Sequence, residues 1–220
     1  KWRLTRAHPG PRHLVGNADE GEPGTFKDRW ILENAPHRVL EGMLLAARAV
    51  EAESCWIYLR DEYHHLFAPL ARAIADLRAA GLFHGEIHLR RGAGAYICGE
   101  ETALLESLEG RRGYPRHKPP FPGERGLFGR PTLIHNVETL WWLPQIVADG
   151  PDAFAAEGRH GCRGRRLLSI SGRVRDPGVK DAPAGITAHE LIEEYCGDMA
   201  EGHRFAAYLP GGASGGILPA

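Results

Sequence analysis

Cys55-Trp-Ile-Tyr-Leu-Arg-Asp-Glu-Tyr-His-His-Leu-Phe-Ala-Pro-Leu-Ala-Arg-Ala-Ile-Ala-Asp-Leu-Arg-Ala-Ala-Gly-Leu-Phe-His-Gly-Glu-Ile-His-Leu-Arg90 reads as a strand, a helix and a second strand. Residues 55–60 are rich in aromatic and branched side chains, which suit a strand. Asp61 is placed to cap a helix from Glu62 to about Ala80, with Leu66, Leu70, Ile74 and Leu77 on one face. Glu86–Arg90 resumes strand character. Working outward, His13-Leu-Val-Gly16 is a short strand. Pro36 to about Glu51 shows helical spacing of Val39, Leu40, Met43, Leu44 and Ala47, with proline in its first turn. Further helices are predicted from about Gly99 to Leu108 and from Val137 to about Ala148, the latter with Leu140, Trp141 and Pro144. Strands separated by helices of this length make βαβ units and a parallel sheet, so the fold class is α/β.

Composition narrows the function classes. The 220 residues are 43% apolar and 25% charged, ordinary for a globular protein. A formal net charge of −1 argues against nucleic acid or an anionic membrane as the main partner. No apolar run reaches the ~18 residues of a transmembrane helix, and no signal-peptide pattern is present. Cys55, Cys98, Cys162 and Cys196 lie far apart without a Cys-x-x-Cys and read as free thiols of a reducing cytoplasm. Arginine outnumbers lysine 23 to 4, which makes the lysines beside motifs, Lys1, Lys27 and Lys118, more informative.

Two acidic, glycine-rich segments follow predicted strands: Gly16-Asn-Ala-Asp-Glu-Gly-Glu-Pro-Gly-Thr-Phe26 and Gly92-Ala-Gly-Ala-Tyr-Ile-Cys-Gly-Glu-Glu-Thr102. Glycines let backbone approach a ligand closely. Carboxylates beside them cannot ligate phosphate, but they accept hydrogen bonds from hydroxyls, amides or a metal's water. Ligands of parallel α/β sheets lie beyond the carboxyl ends of the strands, where both segments begin. The pair reads as one cradle made from two loops. The stretch Arg111–Thr132, with Pro115, Pro119, Pro120, Pro122 and Pro131, is too proline-rich for a helix, and a loop of that length is usually functional.

Past Gly150 the pattern changes. Arg166–Val174 and Gly178–Pro183 flank an Asp-Pro turn like a hairpin, with a helix at Thr187–Tyr195, as in a small second domain of the β-grasp type. The absence of Met at the start, loop-like sequence at Lys1-Trp2 and a glycine-rich end at Gly211–Ala220 read as a fragment of a longer chain.

Four motifs in order, Asn17–Arg29, Gly92–Gly110, Lys118-Pro-Pro-Phe121 and Asn136-Val-Glu-Thr139, resemble the 51 kDa family of flavin- and NADH-binding subunits found in respiratory complex I, which includes diaphorase subunits of NAD-linked hydrogenases and formate dehydrogenases. Tyr58–Tyr63, His135-Asn136 and Leu209–Pro219 are most similar to the formate dehydrogenase β subunit. The resemblance implies a Rossmann-like FMN- and NADH-binding domain over residues 1–150, lacking its first part, and a truncated β-grasp domain over residues 160–220. It implies hydride exchange between NAD(H) and FMN, with electrons passing to or from an iron–sulfur cluster. Asn17, Asp19 and Glu20 match positions that hold the ribityl chain and ring of FMN; Lys1, His135 and Asn136 match its phosphate side; Gly99 and Glu100 match the segment near the ring. Glu22, Tyr96, Glu101, Lys118 and Phe121 match NADH contacts. A [4Fe-4S] cluster is implied for the full-length protein, with its ligands outside this chain and no metal within it. A thioredoxin-like [2Fe-2S] partner subunit and a larger catalytic subunit are implied, in a cytoplasmic assembly that touches a membrane only through a larger complex.

Two departures stand out. His135 replaces a common asparagine, and Leu4 replaces an aromatic, which leaves Phe121 as the adenine platform. Like-charge repulsion from Glu22, Glu100 and Glu101 predicts a preference for NADH over NADPH. Glu106, Glu109 and Glu138 read as helix-surface or packing carboxylates, Trp141-Trp142 as core, Cys98 as a packing residue, and His64-His65 as solvated surface. Two readings of other classes stay open: carboxylates holding a divalent metal for hydrolysis, and a non-catalytic docking module.

Overall fold

The computed structural model describes residues 1–83 and 85–220. The chain divides into two compact units, one of residues 1–21 and 31–144, the other of residues 22–30 and 145–220. In chain order the first unit begins with helix α1 (Trp2–Ala7) and strand β1 (Arg12–Ala18). Helix α2 (Lys27–Asn34) is followed by α3 (Pro36–Val50), β2 (Ala52–Leu59), α4 (Phe67–Ala79) and β3 (Glu86–Arg91). Helix α5 (Glu101–Leu108), β4 (Thr132–Asn136) and α6 (Val137–Asp149) complete the series.

The four strands form one parallel sheet in the order β3-β2-β1-β4, an α/β, Rossmann-like arrangement. Alternation along the strands divides the core. Val15, Trp56, Tyr58 and Ile134 cluster with Cys98, Leu104, Leu105 and Leu127 on one face. On the other, a Cβ at Gly16 would sit 2.9 Å from Met43 of α3 and 3.4 Å from Leu140 of α6. Helices α3 and α6 cross so closely that a Cβ at Gly42 would overlap the Leu140 carbonyl. Trp141 and Trp142 are buried, as is Cys98, in keeping with their reading as core. All four cysteines are free thiols.

Three local departures have physical causes. Lys1-Trp2 opens a helix rather than a loop, with the Thr5 N–H bonded to the Lys1 carbonyl and Thr5 fully buried. The helix expected from Glu62 is a 3-10 turn over Asp61–Leu66 before α4 begins, and Tyr63 leaves helical geometry at φ −93°, ψ 26°. A tertiary bond holds it there: its hydroxyl donates to the buried Glu20 carboxylate at 2.9 Å. Asp61 does not cap with its side chain; its carboxylate pairs with Arg91. Finally, α2 forms where no helix is expected, because the charged run Lys27-Asp28-Arg29 obscures the short apolar stretch Trp30-Ile31-Leu32 that follows it.

In the second unit, β5 (Arg165–Ile170) and β6 (Gly178–Pro183) pair antiparallel around the Asp176-Pro177 turn, and α7 (Pro151–Ala156) precedes them. Thr187 caps a short helix, α8 (Ala188–Glu190), through a capping box with Glu190, and a π-helical turn continues it over Leu191–Tyr195. A two-residue ladder, β7 (Ala207–Tyr208) with β8 (Leu218–Pro219), closes the chain. No described helix is long and apolar enough to cross a membrane.

Candidate functional site

Asn17, the penultimate residue of β1, joins three segments. Its Nδ2 donates to the Gly99 carbonyl at 2.9 Å, its Oδ1 accepts the Asp19 N–H at 3.0 Å, and its own carbonyl accepts Asn136 Nδ2 at 3.3 Å. The carboxyl ends of β1 and β4 and the loop after β3 therefore meet at one residue, through its side chain and its backbone carbonyl. Close backbone approach explains the glycines: a Cβ at Gly99 would lie 3.2 Å from the Asp19 carbonyl, and one at Gly21 would lie 3.0 Å from the Tyr96 ring. Tyr58 holds the far end of the second loop, its hydroxyl accepting the Ala93 N–H and bonded to Ser107 Oγ at 2.8 Å.

The carboxylates differ in their surroundings. Asp19 is half-buried, and burial pushes its pKa up to about 6 against the opposing charge of Arg60. Glu20 is almost fully buried and accepts from the Tyr63 hydroxyl, while the Arg60 guanidinium donates to the Glu20 carbonyl. Glu100 is the N-cap of α5: one oxygen accepts from the Thr102 and Ala103 N–H groups and from the Thr102 hydroxyl. Burial would raise its pKa, but these bonds and the Lys118 ammonium outweigh it and draw it down to about 2. Lys118 Nζ bridges Glu100 at 3.0 Å and Glu101 at 2.8 Å, and Lys1 Nζ reaches Glu101 at 2.8 Å. Two carboxylates and two ammonium groups thus stand together. Burial acts to raise the Glu101 pKa, and the two lysines together overcome it and hold the carboxyl below its ordinary range.

Lys1 also donates to the Ile134 carbonyl, which places it beside His135. Burial first, then the Lys1 charge, lowers the His135 pKa to about 4. The Trp2 indole N–H donates to His135 Nε2. Asn136 Oδ1 accepts the Glu138 N–H at the start of α6. Tyr96 and Phe121 are exposed aromatics, 63% and 48% accessible, with the Phe121 N–H bonded to Glu124. Glu22 belongs to the second unit, where its carboxylate accepts the Ser214 N–H at 2.9 Å; every other candidate lies in the first unit.

Several residues that shape the site are given no site role by the sequence motifs. Arg116 pins the long loop: its guanidinium bonds Glu106, Glu109 and the Gly126 carbonyl, and its N–H donates to Thr102 Oγ1. Arg60 and Tyr63 act through tertiary bonds to Glu20, and Trp2 through one to His135. The excess of arginine across the chain masks the particular ones that matter. Glu106 and Glu109 are indeed packing carboxylates, and Glu138 is buried with its Oε1 taking the Trp142 indole N–H. Among the described residues, no group of three or more His, Cys, Asp or Glu is arranged to hold a metal ion.

This arrangement can grip a polar, hydroxyl-rich ligand between amides, carboxylates and close backbone, with ammonium groups at its side. Known proteins resemble this chain closely. One NADH-quinone oxidoreductase subunit of Rhizobium meliloti is 45% identical, the match covering the whole of this chain and 54% of the relative's own length. Its counterpart in Escherichia coli is 47% identical over 94% of this chain and 48% of its own length. A crystal structure of NAD+-reducing [NiFe]-hydrogenase in the air-oxidized state superposes with a TM-score of 0.90 at 42% identity, covering all of this chain and 38% of that one. The chain spans about half the length of the two oxidoreductase relatives. Residues 1–145 match the family model described as the Nuo51 FMN-binding domain, and the chain belongs to that family.

Proposed function

We propose that this chain holds FMN and NAD(H) side by side, as the flavin- and nucleotide-binding part of a larger electron-transfer complex. Asn17 carries the reading, because it ties both acidic loops and the β4–α6 turn together at the carboxyl ends of the sheet. The residues fit the group. Asn17 and Asp19 offer amide and carboxylate partners to the ribityl hydroxyls and ring edge; Glu20 shapes that wall from beneath, its carboxylate held by Tyr63. Gly99 and Glu100 bring bare backbone and a helix start to the ring. Lys1, His135 and Asn136 form the phosphate side. Tyr96, Glu101, Lys118 and Phe121 serve the nucleotide, with exposed aromatic faces for stacking. Bound FMN would supply a hydride acceptor that releases electrons singly. The chain's own share is position and electrostatics. Asp19, with a pKa near 6, can either accept or donate at its carboxyl close to neutrality.

The named relatives belong to NADH-quinone oxidoreductases and an NAD+-reducing hydrogenase. The finer reading, a formate dehydrogenase β subunit, rests on Tyr58–Tyr63, His135-Asn136 and Leu209–Pro219. Electrons would leave through the [4Fe-4S] cluster of the full-length protein toward a [2Fe-2S] partner subunit and a larger catalytic subunit. The test is purification of the intact protein through a tag. The expected result is a yellow protein whose flavin is bleached by NADH, with Asn17→Ala weakening FMN binding about tenfold or more. A colourless protein with metal-dependent hydrolysis would sink the flavin reading. Formate-driven NAD+ reduction by the co-purified complex supports the finer one; NADH-driven quinone reduction or hydrogen oxidation overturns it and leaves the flavin site standing.

A further inference from the structure

We propose that Trp2 fixes His135 as a neutral imidazole carrying its proton on Nδ1, so that this ring offers a phosphate one hydrogen-bond donor and no charge. The phosphate part rests on the FMN reading of the site; the tautomer does not.

Donor and acceptor chemistry dictates the assignment. An indole N–H can only donate. It is directed at His135 Nε2, which must therefore present a lone pair. An imidazolium has none to present, since both its nitrogens donate, so the bond exists only with the neutral ring. The remaining proton then resides on Nδ1, because the hydrogen bond at one ring nitrogen sets the state of the other. Neighbours agree. His135 is half-buried near the end of β4, and the Lys1 ammonium, bonded to the adjacent Ile134 carbonyl, disfavours a second positive charge. The indole and imidazole rings lie 5.7 Å apart at 49°, tilted rather than stacked, as an edge-on N–H bond requires. Trp2 is thus a positioning residue, acting on any ligand only through His135. Lys1, already shared with Glu101, supplies positive charge to this corner in place of the ring.

Long-range 1H–15N correlation spectra of the intact protein with 15N-labelled histidine read the tautomer directly, with His135→Asn identifying the resonance. The expected wild-type pattern at neutral pH is a protonated Nδ1 and a bare Nε2, and Trp2→Phe should shift it toward protonated Nε2. Flavin fluorescence quenching supplies the second arm: Trp2→Phe should weaken FMN binding about tenfold and leave riboflavin, which lacks the phosphate, unchanged. An imidazolium or an Nε2–H ring in the wild type overturns the lock, as does an unaltered tautomer in Trp2→Phe. If Trp2→Phe does not fold, the wild-type spectrum alone decides. A locked tautomer with equal losses for FMN and riboflavin overturns the phosphate role. A locked tautomer in a protein that binds neither flavin removes the FMN reading and leaves the lock intact.

Discussion

Glu100 divides its two oxygens between structure and charge. Oε2 closes the N-terminus of α5, and Oε1 takes the Lys118 ammonium. Replacing a capping acceptor by alanine costs about 1 kcal/mol, so Glu100→Ala should lower the urea midpoint accordingly. The pH dependence has a definite sign. The folded carboxyl titrates near 2 against an ordinary 4.5, so its stabilisation is complete above about pH 4.5 and disappears as pH falls toward 2. Wild-type stability should decline across that window, and Glu100→Gln, which keeps an acceptor but cannot titrate, should show a shallower decline in urea melts taken at successive pH values. The same cluster bears on the expected preference for NADH over NADPH. Lys1 and Lys118 offset Glu100 and Glu101, so these carboxylates repel a 2′-phosphate less than their number suggests. Removing one cation should restore the repulsion: Lys118→Gln should lower kcat/KM for NADPH several-fold more than for NADH in steady-state assays of the intact enzyme. The carboxylates were legible in the sequence as a motif. Lys1 and Lys118 were legible too, but not their pairing with these carboxylates, which arises only through the fold.

At the scale of elements, the long loop between α5 and β4 is held by one arginine. Arg116 bonds Glu106 of α5 and the adjoining Glu109, the Gly126 carbonyl and, by its N–H, Thr102, and it carries Lys118 and Phe121 two and five residues further on. Charge-assisted bonds are each worth about 1.5–3 kcal/mol net when buried, less when partly exposed as here. Arg116→Ala should therefore cost about 2 kcal/mol overall and open residues 111–131 to protease, seen as a new cleavage in limited proteolysis. Arg116→Lys, which cannot span both glutamates, should recover less than half of that. Helices and strands were legible wherever apolar spacing repeats over several turns, as in α3 and α6, or where an apolar run meets a turn, as in β2. The short α1 has a single fully buried residue and no periodicity to read. The 3-10 turn before α4 was hidden for another reason: Tyr63 is pulled out of helical geometry by Glu20, a residue on a different loop.

Across the whole molecule, the candidate residues other than Glu22 belong to one compact unit, although the sequence presents them in segments scattered from Lys1 to Asn136. That convergence was legible only as far as the motifs signalled it; the sheet order β3-β2-β1-β4, which makes β1 a central strand and Asn17 a junction, appears with the fold. A ligand gripped at that junction binds the folded state alone, so it must stabilise the first unit by mass action, by about 2.7 kcal/mol when its free concentration is a hundred times Kd. The stabilisation should be local in hydrogen exchange, since amides report the opening of the segment that holds them. FMN should slow exchange over residues 16–21, 93–103 and 136–139, where backbone N–H groups line the two loops and the start of α6. It should leave the β5–β6 hairpin at its unliganded rate, because those amides belong to the other unit and pair with one another. Mass-resolved exchange of the intact protein with and without FMN checks this. Uniform slowing in both units would mean that FMN acts on global unfolding, and slowing confined to the hairpin would move the flavin away from Asn17 altogether.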